Sequence, residues 1–195
     1  MSGFDSRTVH ENENPAMLYL TADLHLDHAN ILSHCARPFV NVHQMNHTLI
    51  HNWNKSVSGS DTVYVLGDFA WSSAKPEQVS AWLAQLNGNK ILVRGNHDRK
   101  NVTNAPGWSS VHDLLKVRYE GERMILCHYA MRVWDGHGRG SWHLYGHSHG
   151  SLPAHGLSCD AGVDCWDYTP VSFERVRAHM AYRKQHVVDH HGKAR

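Results

Sequence analysis

KILVRGNHD, residues Lys90–Asp98, is the stretch that decides the fold class of this 195-residue chain. It begins with an apolar run of the kind found in strands buried on both faces, and a glycine ends the run before three polar side chains. The same order recurs in four other stretches: Met17–His25, Thr62–Asp68, Arg123–His128 and Ser141–His149. We therefore predict five buried strands, each followed directly by side chains that can bind metal.

Helical patterns separate the first three of these strands. One apolar stripe at helical spacing runs from Met45 to Val57, and another runs from Val79 to Leu86 after the helix-starting Pro76. Alternating strands and helices predict an α/β fold, in which ligands bind beyond the carboxyl ends of the strands. We expect the polar groups of the five stretches to converge there.

The sequence as a whole predicts a single domain flanked by two polar terminal segments. Residues 16–185 are long enough for a single core, whereas residues 1–15 and 186–195 are polar and aperiodic and are predicted to be flexible. We predict no function for the histidines of the tail. After Ser151 we expect short strands around Leu157–Cys159 and Gly162–Trp166, and then a helix from about Ser172 that covers a second sheet.

The composition argues against several classes of protein. A net charge of +1 without a basic block argues against strong non-specific nucleic-acid binding, although a nucleic acid remains open as a substrate. Neither a signal peptide nor a membrane-spanning segment is evident, so a cytoplasmic protein without membrane contact is expected. The 4 cysteines lack paired metal-ligand spacing and are expected to be reduced. The 19 histidines equal all lysines and arginines in number, so their positions must explain them.

Seven residues at the strand ends have metal-ligand chemistry. Asp23 and His25 are two positions apart, so their side chains can project to the same side and share a metal ion. The carboxylate of Asp68 has two oxygens and can bridge two cations about 3.5–4 Å apart. Imidazoles suit zinc, iron, manganese or nickel, and an isolated histidine would not indicate a site, but an ordered set does. The set is Asp23, His25, Asp68, Asn96, His128, His147 and His149.

The ordered motifs resemble the five signature blocks of calcineurin-like metallophosphoesterases, and in detail the small, cap-less bacterial and phage phosphoesterases. The blocks are Asp23-Leu-His25, Gly67-Asp68, Gly95-Asn96-His97-Asp98, His128 and Gly146-His147-Ser148-His149. The resemblance implies a four-layer α/β/β/α sandwich, in which two mixed β-sheets are flanked by helices. It also implies two divalent or mixed-valence metal ions, drawn from Mn²⁺, Zn²⁺, Fe²⁺/Fe³⁺ and Ni²⁺.

The same resemblance implies a division of the ligands between the two ions. One ion would be bound by Asp23, His25, Asp68 and His149, and the other by Asp68, Asn96, His128 and His147. His97 would stay free of metal and act on the substrate as the catalytic residue.

Two differences between this sequence and related motifs narrow the range of activities and folds to consider. Protein Ser/Thr phosphatases of this family extend the second block to Gly-Asp-x-x-Asp-Arg-Gly, but Trp71-Ser-Ser follows here, which disfavours that activity. Asp98 could replace the missing aspartate by orienting His97, or it could be a loop aspartate. Residues 23–28, DLHLDH, lie one residue from the H-x-H-x-D-H signature of metallo-β-lactamase-fold hydrolases, which is the alternative fold.

The expected activity is metal-assisted hydrolysis of a phosphoester, with a metal-bridging hydroxide as the nucleophile. A short chain without an inserted lid favours a small or exposed phosphodiester, such as a cyclic nucleotide or a nucleic-acid end. Asn30 and Arg132 are the predicted substrate contacts. The alternatives are a phosphomonoesterase and, in another class, a non-catalytic interaction scaffold on the same fold.

Overall fold

The computed structural model describes residues 16–153 and 155–186. Within them the strands are β1 (Leu18–Thr21), β2 (Thr62–Val65), β3 (Asn89–Val93), β4 (Ser110–His112), β5 (Leu114–Tyr119), β6 (Glu122–Cys127), β7 (Trp142–Tyr145), β8 (Ser158–Asp160) and β9 (Val171–Ser172). The helices are α1 (Ile31–His34), α2 (Val42–Ser56), α3 (Pro76–Gln85), α4 (Lys100–Thr103) and α5 (Phe173–Met180), with 3₁₀ helices at His137–Arg139 and Val163–Cys165. The predicted flexible segment 1–15 and all but the first residue of the predicted tail lie outside the described residues. The predicted domain, 16–185, stays a prediction.

The strands form two mixed sheets. The first has the order β4-β3-β2-β1-β9, with β9 antiparallel to β1 and the others parallel. The second has the order β5-β6-β7-β8, with β5 antiparallel to β6 and the others parallel. Because parallel strands end at the same edge of a sheet, the segments after β1, β2 and β3 leave one edge together, as do those after β6 and β7.

Helices α2 and α3 cover the outer face of the first sheet, as their periodicity predicts. The side chain of Asn41 caps α2 by accepting a hydrogen bond from the backbone N–H of Gln44 at 2.9 Å. The apolar stripe of α2 is buried, and it shares one cluster with α3 and with Val63 of β2. The indole of Trp53 donates to the carbonyl of Asn87 at 3.0 Å, which ties α2 to the loop that follows α3. Packing of amphipathic faces therefore sets this layer.

A second buried cluster fills the space between the two sheets. It joins Leu20 of β1, Leu126 of β6 and Leu144 of β7 to Phe173 and Val176 of α5. Helix α5 contacts β1 and β9 of the first sheet and β8 of the second. The helix predicted from about Ser172 therefore packs against both sheets rather than on the second sheet alone.

Two largely irregular segments cover the outer face of the second sheet. We call residues 129–141 the first covering segment and residues 151–157 the second covering segment. His143 of β7 faces the first segment: its ring lies 5.3 Å from that of Trp134, and its Nε2 accepts from the backbone of Met131 at 3.0 Å. Tyr145 of β7 lines a cavity of about 330 Å³ between the two segments, together with Leu152.

One predicted strand, Gly162–Trp166, is wrong. Gly162 forms only an isolated bridge with Ala22, and the next residues turn into a 3₁₀ helix. The physical reason is local hydrogen bonding: the backbone N–H of Cys165 donates to the carbonyl of Gly162 at 2.9 Å, and that of Trp166 donates to the carbonyl of Val163 at 3.2 Å, so the chain turns instead of extending. A glycine is needed at position 162, because a Cβ there would lie 2.7 Å from a carboxylate oxygen of Asp23. The strand predicted around Leu157–Cys159 is β8, and the predicted α/β fold of two mixed sheets flanked by helices is confirmed.

Candidate metal centre

Within residues 16–153 and 155–186, four groups of three side chains could each hold a metal ion, and two of these groups combine residues from both sheets. The other two are His25 with Asp68 and His97, and Cys35 with His149 and Asp164. The ligand atoms of Asp23, His25 and His149 lie within 4.8 Å of one another. Those of Asp68, His128 and His147 form a second such group. Each group draws on both sheets, so the site exists only where the two sheets meet.

The carboxylate of Asp68 lies between the two groups. Its Oδ2 is 3.6 Å from Nε2 of His25 and 3.5 Å from Nε2 of His128. Asn96 belongs to the second group, since its Oδ1 is 3.1 Å from the same nitrogen of His128. The structure thus brings together all seven predicted ligands, with Asp68 in the shared position that the family resemblance implies.

Two of the four proposed ligand imidazoles donate a hydrogen bond to a group that is not itself a proposed ligand. Nδ1 of His128 donates to the carbonyl of Leu66 at 2.8 Å, and Nδ1 of His149 donates to Asp164 at 2.7 Å. These two bonds fix the tautomer, so that Nε2 of each ring carries the lone pair needed for a metal ion. Nδ1 of His25 contacts Nδ1 of His28 at 3.1 Å.

Two buried polar groups support the fit of a metal ion. Nε2 of His25 is buried and has no hydrogen-bond partner within residues 16–153 and 155–186. Burial lowers the pKa of His25 to about 2, so its imidazole is neutral and able to ligate. Burial also raises the pKa of Asp23 to about 7, which marks a carboxylate that a cation would stabilise. The donor set therefore fits metal ions, and carboxylate and imidazole ligands suit the divalent metals predicted.

The ligands sit on a strained backbone. Five of them adopt left-handed φ angles: Asp23 (57°), His25 (51°), Asp68 (54°), His147 (68°) and His149 (46°). Non-glycine residues adopt this conformation only where the surroundings impose it. Here backbone hydrogen bonds between the loops do so, from Asp23 to Gly67 at 3.0 Å and from His25 to Asp68 at 2.9 Å. The fold therefore fixes the directions of these five side chains before any metal ion binds.

Two glycines of the motifs are required by close approach. A Cβ at Gly95 would lie 2.5 Å from the backbone nitrogen of Asp68, and one at Gly146 would lie 2.5 Å from Cβ of Ala22. Contacts this short are not tolerated between real atoms, so a side chain at either position would push the ligand loops apart. The glycines of the motif blocks thus keep the two sheets close enough to share Asp68.

Asp98 is a loop aspartate, the second of the two alternatives. Its buried carboxylate accepts hydrogen bonds from the backbone N–H groups of Asp68 at 2.8 Å, Phe69 at 2.9 Å and Gly95 at 2.8 Å. Those bonds hold the loop after β2 against the loop after β3. In the described part of the chain its carboxylate makes no hydrogen bond to the His97 ring, so it does not orient His97.

His97 lies beside the ligands without being enclosed by them. Its backbone N–H donates to Oδ1 of Asp68 at 2.8 Å, and its ring Nε2 is 4.0 Å from Oδ2 of the same residue. The side chain is 26% exposed, whereas that of Asp68 is 2% exposed. The ring also lies 5.0 Å from that of Trp71. His97 can therefore reach a ligand that enters from solvent.

Sequence reasoning missed a buried ion pair that supports the first group. The guanidinium of Arg37 donates to both carboxylate oxygens of Asp164, at 2.8 and 2.7 Å, and to the carbonyls of Asp23 and Leu24. Burial opposes ionisation, but the hydrogen bonds from His149 and Arg37 hold the pKa of Asp164 at about 2. Asp164 is thus a carboxylate that orients His149. Arg37 and Asp164 are 127 residues apart, so no local pattern joins them.

Asp164→Asn is expected to lower metal affinity by about 10- to 100-fold, the usual cost of losing a group that orients a metal ligand. The amide keeps the size of the carboxylate but loses the charge that holds the His149 ring. Titration calorimetry with Zn²⁺ would measure the loss, and excess metal should restore activity. Asp135→Asn is the matched control, because that carboxylate is also paired with cations but is exposed. Equal affinities of Asp164→Asn and the wild type would show that the ion pair only supports the fold.

The two residues predicted to contact the substrate lie outside the cluster of proposed metal ligands. Asn30 is exposed at the start of α1, and its side chain makes no capping hydrogen bond. Arg132 lines the cavity between the covering segments, with Met131, Tyr145 and His155 among its neighbours there. None of the residues that line this cavity belongs to the seven ligands. Both roles stay predictions.

The fold and the site together define a class of protein. Two packed mixed sheets, with His and Asp clusters at the carboxyl ends of their strands, are the architecture of metallophosphoesterases. A family model described as calcineurin-like phosphoesterase matches residues 17–178. The chain therefore belongs to the calcineurin-like phosphoesterase family, which makes it a phosphoester hydrolase by class. Membership excludes the alternative metallo-β-lactamase fold.

The chain is also similar to individual proteins from other organisms. The uncharacterized protein MJ1445 of Methanocaldococcus jannaschii is 33% identical over 171 residues, which cover 82% of this chain and 88% of the relative. The gene 66 protein of Mycobacterium phage D29 is 25% identical over 187 residues, covering 79% and 92%. Among solved structures, the protein of unknown function AQ665 from Aquifex aeolicus is 24% identical with a TM-score of 0.68, covering 84% of this chain and 99% of that one.

Within the described residues, every helix is too short or too polar to cross a bilayer.

Proposed function

We propose that this chain is a two-metal phosphoester hydrolase that prefers phosphodiesters, either small or at a nucleic-acid end. The observation that carries the proposal is the position of Asp68, whose Oδ2 lies within 3.6 Å of an imidazole nitrogen from each ligand group. One carboxylate between two sets of ligands suits a pair of ions that share it. Asp23, His25 and His149 would complete one ion's ligands, and Asn96, His128 and His147 the other's.

The charges of the ligand set support an anionic substrate. When bound, two divalent ions polarise phosphoryl oxygens and lower the pKa of water, which are the chemical needs of phosphoester hydrolysis. Asp23 and Asp68 are the only acidic residues among the seven proposed ligands, so they offset two of four positive charges. The negative charge of a phosphoester substrate would offset the remaining positive charge.

The exposure of the site supports a substrate that is itself exposed. His147 and Asn96 are exposed, and the side chain of His97 is 26% exposed, so the edge of the ligand cluster faces solvent. His97 would hold or donate a proton at its Nε2 when the ester oxygen departs. An open site of this kind suits a phosphodiester on a larger molecule as well as a cyclic nucleotide.

Removal of metal is expected to abolish hydrolysis, and re-addition should restore it. The test is a matrix of chelated protein against Mn²⁺, Zn²⁺, Fe²⁺ and Ni²⁺, each with bis-p-nitrophenyl phosphate and p-nitrophenyl phosphate. We expect a higher kcat/KM for the diester, since Asn96 and His147 are exposed at the edge of the site in the part of the chain that the structure describes. Faster turnover of the monoester would favour the phosphomonoesterase alternative. Hydrolysis of neither ester with any metal, together with a stable protein partner, would favour the scaffold.

A further inference from the structure

The ring of His97 is held by other rings rather than by hydrogen bonds. In the part of the chain that the structure describes, the hydrogen bonds of His97 are made by its backbone N–H and carbonyl, and none reaches a ring nitrogen. The carboxylate of Asp68, 4.0 Å from its Nε2, is too distant for one. Around the imidazole lie the rings of His25, His28 and Trp71, with centroids 5.1, 5.7 and 5.0 Å from that of His97. The orientation of His97 therefore depends on contacts between rings.

Backbone contacts fix the position of Trp71. Its N–H donates to the carbonyl of Leu26 at 2.8 Å, and its carbonyl accepts from the N–H of Ala74 at 2.9 Å. The preceding residue, Ala70, forms an isolated bridge with Leu26. These contacts join the loop after β2 to the loop after β1. Trp71 is therefore carried by the same two loops as three of the proposed metal ligands.

The ring of His28 supports the indole of Trp71. The two rings stack with centroids 3.8 Å apart at 18°. His28 is itself 7% exposed, and its Nδ1 contacts Nδ1 of His25 at 3.1 Å. Because a close, nearly parallel stack against a buried ring leaves the indole little freedom to rotate, Trp71 forms a fixed wall of the site.

Trp71 is the ring best placed to set the orientation of His97. Of the three neighbouring rings its centroid is the closest, and its plane is tilted by 34° from the imidazole. His25 would be committed to a metal ion, and the ring of His28 lies farther away. The carboxylate of Asp98 accepts from three backbone N–H groups and so cannot serve instead. Without the indole, no hydrogen bond among the described residues would keep the imidazole from rotating.

We propose that Trp71 is a positioning residue for His97. Its indole, supported by His28, holds the imidazole in the orientation from which Nε2 reaches the departing ester oxygen. A hydrogen-bonded carboxylate often orients a catalytic histidine, and here a contact between rings does so. This role rests on the proposed function, in which His97 acts on the leaving group.

The kinetics of Trp71→Leu test the role. On an alkyl or ribose ester, kcat is expected to fall about 10²-fold, as for a reacting group misplaced by about 1 Å, while KM and the two bound ions stay unchanged. The loss should be smaller on p-nitrophenyl esters, whose leaving group needs no proton. The double variant with His97→Ala should lose no more than His97→Ala alone, because both changes remove one function. Trp71→Phe, which keeps a ring, should recover most of the rate.

Trp108→Leu is the matched control. Trp108 is also half-buried, and its ring lies 5.0 Å from that of Phe69 in the loop that carries Trp71. Its removal should lower stability without any dependence on the leaving group. Trp71→Met, which fills more of the space, replaces Trp71→Leu if the latter does not fold. A loss in Trp71→Leu that is equal for good and poor leaving groups, or that adds to the loss in His97→Ala, would overturn the role.

Nuclear magnetic resonance of the His97 ring gives a readout that needs no substrate. In protein made with isotope-labelled histidine, the ring signals of His97 are assigned by their absence from His97→Ala, and the indole should displace them. In Trp71→Leu they should move toward the position of free histidine and broaden, and in Trp108→Leu they should stay in place. Unchanged signals in Trp71→Leu would overturn the positioning role whether or not the wild type is active. Displaced signals in a wild type that hydrolyses no ester would support the ring contact and count against the proposed function alone.

Discussion

Asp68→Asn is expected to lower turnover by about 10³-fold or more, because the two metal ions together supply several kcal/mol of charge stabilisation and each 1.36 kcal/mol is a factor of ten in rate. Asparagine keeps the shape of the side chain but removes the charge that lies between His25 and His128. A neutral amide oxygen is also a weaker ligand for two cations than a carboxylate oxygen. Metal analysis should show fewer than two ions per chain at a free metal concentration that saturates the wild type.

Asp113→Asn is the control for this variant, since that carboxylate is 76% exposed and, among the described residues, is paired with Arg94 alone. Circular dichroism should show both variants folded. If Asp68→Asn bound two ions and turned over at a near-normal rate, Asp68 would not be the shared ligand, and the two-metal arrangement would have to be abandoned.

His97→Ala is expected to lose about 10²- to 10⁴-fold in rate on esters with poor leaving groups, which is the usual value of general acid catalysis. The residue lies 4.0 Å from Asp68 and is partly exposed, so it can reach a departing oxygen. An alkoxide or ribose hydroxyl needs that proton, whereas p-nitrophenolate leaves without it. The loss should therefore be smaller on nitrophenyl esters, and a plot of log rate against leaving-group pKa should steepen.

Metal content separates this effect from damage to the site, because the variant should still bind two ions. His34→Ala serves as the control, since His34 is exposed and its ring lies 6.4 Å from that of His28 at the same end of the molecule. Equal slopes for wild type and His97→Ala would show that His97 positions the phosphate rather than donating a proton.

The parts of the fold that follow from local chemistry could be predicted from the sequence. The apolar runs that end at Gly67, Gly95 and Gly146 became β2, β3 and β7 because short buried runs suit parallel strands. Helical spacing predicted α2 and α3. That the seven proposed ligands lie close together could be predicted because they follow five strands whose carboxyl ends converge.

What could not be predicted depends on contacts between distant segments. The pair of Arg37 and Asp164 forms only when the loop after α1 meets the turn after Gly162, and no pattern in either segment indicates the other. The sequence allowed Asp98 either to orient His97 or to be a loop aspartate. The structure favours the second role, because the Asp98 carboxylate accepts hydrogen bonds from three backbone N–H groups.

The left-handed backbone at five ligands means that the most stable form of this chain is not its most active form. Each such residue costs about 1–3 kcal/mol relative to a relaxed backbone, and glycine would remove much of that cost. Laboratory evolution for heat resistance alone would thus favour glycine at the exposed His147, and it would remove a proposed metal ligand while stabilising the fold. Any thermostabilisation of this protein therefore needs an activity screen in every round.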